Sequence, residues 1–171
     1  MKKYFILITL MFFIGCGSTS SVFPLTVNVT DSNINLKAAV LDTNYAFNKF
    51  LSHGNDLFKL SINGDADIFI RCADQYEIDN SIENGLVEKR VIGLHQNGNI
   101  IILCEAVGDY KKKAIIVAHE LFHALGFREH YDNPECLNYP LIHVAPFEDL
   151  ICDEMKEDFD KEFDFNNNQG E

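Results

Sequence analysis

The sequence predicts an α+β domain: a mixed five-stranded sheet with one antiparallel edge strand, two main helices and a C-terminal helix, in an α/β-like sandwich. Three observations carry this. Short β-branched runs alternate with longer stretches of helical period, so helices pack on a sheet whose strands are joined by crossovers. Asn97-Gly98 stands between two extended runs, a strong hairpin signal that adds an antiparallel pair. Residues 114–130, AIIVAHELFHALGFREH, hold one helical pattern that stops at a glycine.

The chain has 171 residues, enough for one domain with its own core. Lys2 and Lys3 are followed by an apolar run at residues 4–14 that is too short for a permanent span. It ends in Gly15-Cys16 and resembles a bacterial lipoprotein signal. Residues 1–15 would be removed, Cys16 would carry lipid, and residues 16–22 would form a tether. An ordinary secretory signal cut a few residues later is the alternative. No Asp follows Cys16, which points to the outer membrane or the cell surface. Without Lys2 and Lys3 the chain has 12 basic residues against 26 acidic, a net charge of −14. That balance argues against nucleic acid as a partner. The domain is expected over residues 23–165, as a monomer, with residues 166–171 as a disordered tail.

Residues 23–30 (FPLTVNVT) read as the first strand and residues 36–51 as the first helix, apolar at Leu36, Ala39, Val40, Phe47 and Phe50. His53-Gly54-Asn55 is a C-cap signal, and His53 there would face the helix dipole. Residues 57–62 and 66–72 alternate as the second and third strands around Asn63-Gly64-Asp65. Residues 73–89 read as a polar surface loop. Residues 90–96 and 99–105 form the hairpin, and 109–113 a link into the next helix. Residues 131–146 carry three prolines and read as loop, and residues 147–163 as one amphipathic helix with Leu150, Ile151, Met155, Phe159 and Phe163 on its apolar stripe.

Cys72, Cys104, Cys136 and Cys152 remain after Cys16, an even number suited to two disulfides in an exported chain. Three connectivities are open, and sequence alone does not choose. Placing the third and fifth strands side by side favours Cys72–Cys104, which leaves Cys136–Cys152 to tie the long loop to the last helix.

Within residues 114–130, His119 and His123 fall one helical turn apart on the same face, so two imidazoles can reach one Zn²⁺. Glu120 can take a proton from water on the metal's open side. His130 follows Gly126 and is a further candidate. His143 is a spare ligand candidate in the loop. His95 either lines a cleft or is a solvated strand histidine.

HELFHALGFREHYDNPECLNYP resembles the metzincin zinc-peptidase signature HExxHxxGxxH, and within it the matrixin pattern that continues to a Met-Tyr-Pro turn. Weaker similarity extends upstream, to the helix around Asp42 and Phe47, to Ala66-Asp67-Ile68 and to Gly93-Leu94-His95. The resemblance implies one catalytic zinc and hydrolysis of peptide bonds. It places a peptide or protein substrate along the edge strand at Gly93, Leu94 and His95 by β-augmentation. It also assigns His119 and His123 as ligands and Glu120 as the general base, with Tyr139 near enough in sequence to assist an oxyanion or simply to pack.

There are two departures. The family's third ligand stands three residues after the glycine, where this chain has Glu129, and His130 is one further. Either His130 ligates after a one-residue insertion or Glu129 ligates as a carboxylate; imidazole is the commoner ligand and favours His130. Asn138 stands where the family has the methionine of its turn. Two other readings remain open: a gluzincin-type peptidase with Glu154 as third ligand, and an inactive lipoprotein that keeps the fold as a binding module.

Overall fold

The structure, a computed structural model, describes residues 23–30, 33–62, 64–73, 76–77, 79–80, 93–104, 107–138 and 144–163. The proposed signal, Cys16, Tyr139, Pro140, His143 and the tail at 166–171 lie outside the described residues.

In chain order the elements are β1 (Leu25–Val29), α1 (Ile34–Phe50), β2 (Phe58–Leu60), β3 (Ile68–Cys72), β4 (Gly93–Gln96), β5 (Asn99–Ile102), α2 (Tyr110–Ala124), α3 (Phe147–Leu150) and α4 (Asp153–Glu162). They build an α+β fold on one five-stranded mixed sheet of order β2-β1-β3-β5-β4. β4 is antiparallel to β5 and every other pairing is parallel. Among the described residues no helix is long and apolar enough to cross a membrane.

Local chemistry explains the element ends. The Asn33 side chain accepts from the backbone N–H groups of Asn35 and Leu36, which caps α1. Asp109 caps α2 by accepting from the Lys111 N–H at 2.8 Å. Asn97 and Gly98 adopt φ of 50° and 75°, the left-handed pair that a type I′ hairpin needs. Asp67 locks the start of β3 to β1, because its carboxylate accepts from both the N–H and the hydroxyl of Thr26 at 2.7 Å.

The sheet buries every second residue. Val27, Val29, Ile68, Ile70, Ile100 and Ile102 are all at most 5 % exposed, whereas Thr26, Asn28 and Phe69 on the other face are half-buried. α1 and α2 lie side by side over the buried face, α1 towards β2 and α2 towards β4 and β5. The Phe47 and Phe122 rings meet edge to face at 6.1 Å and join the two helices. α2 is the central one: every residue from Ala114 to Phe122 is buried.

Several boundaries differ from the sequence expectation. α2 starts at Tyr110, so the supposed link is its first turn. Ile34 begins α1 and Phe50 ends it half-buried, with the Lys49 ammonium 4.6 Å from its ring centre. β5 stops at Ile102, and the expected loop at 73–89 contains helical residues Tyr76, Glu77, Asp79 and Asn80. The expected helix over 147–163 is two helices, broken at Ile151 and Cys152. There the chain leaves helical geometry to bury Leu150 and Ile151, to accept the Leu137 N–H at the Leu150 carbonyl, and to bond Cys152 to Cys136. α4 then restarts with Asp153 and Glu154 in its first turn, where the helix dipole favours acids.

Two disulfides hold the periphery. Cys72–Cys104 joins the end of β3 to the residues after β5, with Cα atoms 5.4 Å apart. Cys136–Cys152 ties the loop after the histidines to α4, with Cα atoms 5.2 Å apart.

Candidate metal centre

α2 carries the first two histidines into the interior. His119 is 6 % exposed and Glu120 equally so, because their stretch of helix is enclosed on all sides. The helix ends at Ala124, and Gly126 adopts φ +110°, which turns the chain back on itself. Phe127 then stacks on Phe122 with ring centres 4.4 Å apart, and it also packs against Phe159 and Phe163. This aromatic anchor fixes the start of the loop that delivers His130.

The Nε2 atoms of His119, His123 and His130 converge, at 3.0 Å for His119–His123 and 3.2 Å for each pair with His130. A tetrahedral ion with bonds of ~2.1 Å would hold its ligand nitrogens ~3.4 Å apart, so the trio already has close to the spacing of a metal site. The outer ring nitrogens support the same reading. His119 Nδ1–H donates to the Leu137 carbonyl at 2.8 Å, and His123 Nδ1–H donates to the Phe127 carbonyl at 2.7 Å. These bonds select the tautomer whose Nε2 lone pair points inward, as metal-binding histidines require. Burial also holds His119 down to about 4 and lowers His123, so both rings stay neutral and ready to ligate at neutral pH. The three histidines therefore form a group that could hold a metal ion.

Of the two third-ligand candidates, the structure groups one with His119 and His123. His130 is in the group and Glu129 is not; Glu129 is exposed, and its backbone carbonyl is engaged by the Asn138 side chain. Glu154 lies elsewhere. It accepts from the Asn133 amide and sits beside the Cys136–Cys152 disulfide, outside the histidine group. His53 lies far along the chain in an exposed pair with Asp160 at 3.0 Å.

Glu120 rests between α2 and the edge strand. The His95 backbone N–H donates to its carboxylate, and burial pushes the carboxyl up to about 8. Gly93 allows this contact: a Cβ there would lie 2.7 Å from Glu120 Oε1 and 2.6 Å from Ile116 Cγ2. Gly93→Ala must push β4 off α2, and is expected to destabilise the fold by roughly 1–3 kcal/mol, read from urea unfolding midpoints. His95 itself is half-buried rather than solvated, and burial, with the Arg128 charge nearby, lowers the pKa of its ring.

Sequence reasoning missed the Leu137 and Phe127 carbonyls and the His95 N–H, and it singled out Asn138 without finding its partner. The first three are backbone groups with no residue signature. Asn138 had one, as a polar residue at a position expected to be apolar. No protein-family model matches the chain, and no curated protein matches it.

Proposed function

We propose that the chain is a zinc-dependent endopeptidase of the metzincin type, carried on an exported lipoprotein. The observation that carries this reading is the inward convergence of three imidazole nitrogens beside a buried glutamate that lies against the sheet's edge strand. His119, His123 and His130 would hold Zn²⁺. When bound, the ion supplies a Lewis acid that polarises a carbonyl and lowers the pKa of a water towards ~7. Its positive charge also favours the carboxylate form of Glu120.

Glu120 then serves as the general base, taking a proton from the attacking water and returning it to the leaving amine. Its hydrogen bond from the His95 N–H fixes the carboxylate's position relative to β4. β4 ends the sheet, so an extended peptide would lie along Gly93, Leu94 and His95, pair with the outward main-chain groups that Glu120 leaves open, and run past Glu120. The two disulfides accord with an exported chain.

The test is cleavage of a broad peptide library by the protein lacking residues 1–15. Cleavage that chelation abolishes and added Zn²⁺ restores is the expected result. Asn138 in place of methionine favours one second reading, a metal-holding binding module without hydrolysis. Full zinc loading with no cleavage of any library member would establish that reading instead.

A further inference from the structure

We propose that Asn138 is the positioning residue that brings His130 to the metal. The inference rests on the metal-centre reading above and assigns how the third ligand is held.

The chain places one more residue between Gly126 and its third histidine than the spacing it resembles, so the extra residue has to be absorbed in the loop. Asn138 absorbs it from both sides of His130. Its Nδ2 donates to the Glu129 carbonyl at 2.5 Å, and its own carbonyl accepts the Tyr131 N–H at 3.1 Å. The backbone immediately before and immediately after His130 is thus pinned to a single residue. That residue is itself immobile. Asn138 is fully buried, Leu137 beside it bonds backbone to backbone with Leu150 at 2.6 Å, and Cys136 is covalently fixed to Cys152. The same three-residue stretch therefore orients two ligands: His119 through the Leu137 carbonyl and His130 through Asn138.

The side chain's chemistry points the same way. The Asn138 Oδ1 is buried with no hydrogen-bond partner among the described residues. An orphan acceptor is costly, and a leucine of similar shape would remove it while taking the donor from the Glu129 carbonyl. What only the amide supplies is the N–H to Glu129. Methionine and leucine have no donor, and an aspartate would set a carboxylate against a carbonyl.

The experiment measures Zn²⁺ affinity by competition with a chromophoric chelator, together with the visible absorption of the Co²⁺ form. It compares the wild type, Asn138→Leu, His130→Ala and the double variant. Asn138→Leu is expected to weaken Zn²⁺ binding roughly 10- to 100-fold and to move the Co²⁺ spectrum towards that of His130→Ala. In the His130→Ala background it should cost nothing further, because its effect runs through that ligand. An equal loss in both backgrounds, or wild-type affinity in Asn138→Leu, overturns the proposal.

Hydrogen exchange of the Asn138 side-chain amide in the metal-free wild type gives a test that needs no variant. Protection supports the clamp, and exchange at the rate of a solvent-exposed amide overturns it. A wild type that takes up neither Zn²⁺ nor Co²⁺ overturns the metal-centre reading and this proposal together. Normal wild-type binding with equal losses in both backgrounds overturns the positioning role alone.

Discussion

Glu120→Gln is expected to lower peptide hydrolysis roughly 10²–10⁴-fold while the protein keeps its fold and its zinc. Glutamine preserves the shape of the side chain and can still accept the His95 N–H, so the packing between α2 and β4 survives. It cannot take a proton from water at neutral pH. The loss should fall on kcat, because the substrate's main-chain pairing with β4 does not involve the lost charge. Metal content, thermal unfolding and kcat measured on the same preparation check this. A parallel loss of zinc would mean that Glu120 supports the ligands rather than the chemistry.

The metal-free protein is expected to lose stability on the alkaline side, by roughly 2 kcal/mol between pH 6.5 and 8. Burial raises the Glu120 pKa from 4.5 to about 8, so the stability that its neutral form contributes is fully present below 4.5 and is lost as pH rises through about 8. His119 acts in the opposite sense. Its pKa falls from 6.5 to about 4, so its contribution is present above 6.5 and is lost as pH falls through about 4. Between 4.5 and 6.5 the unfolded chain holds a proton on His119 and the folded chain holds one on Glu120, so the two contributions offset. Above 6.5 only the Glu120 slope remains. His123 and His95, whose pKa values are also lowered, add a loss of stability as pH falls below 6.5. Urea unfolding of the metal-free protein from pH 6 to 9 measures the alkaline limb, and Glu120→Gln should abolish it. A limb that persists in Glu120→Gln would locate the titrating group elsewhere.

Much of the fold is legible in the sequence where the signals are local. The apolar period of α1 and the Asn97-Gly98 pair act within a few residues, and both appear in the structure where the sequence places them. The break between α3 and α4 was hidden because the apolar stripe keeps its period across Ile151 and Cys152. What interrupts the helix there is a covalent bond and a backbone hydrogen bond to residues far along the chain. The acids Asp153 and Glu154 were the available cue to a new helix start.

The candidate site divides along the same line. His119, Glu120 and His123 are spaced by the helix that carries them, so their residue numbers suffice to bring them together. The choice between Glu129 and His130 depends on loop geometry set by Asn138 and by Phe127 packing, which counting from Gly126 does not contain. Gly93 is intermediate. A glycine within a strand signals a close approach, but only the fold identifies Glu120 and Ile116 as what approaches.

The central claim, a three-histidine metal centre, is tested most directly by metal stoichiometry. The protein lacking residues 1–15 is loaded with Zn²⁺, freed of excess metal and analysed beside His130→Ala and Glu129→Ala. The account predicts about one tightly held zinc per chain in the wild type and in Glu129→Ala, and loss of tight binding in His130→Ala. A wild type without zinc, or loss confined to Glu129→Ala, would contradict it.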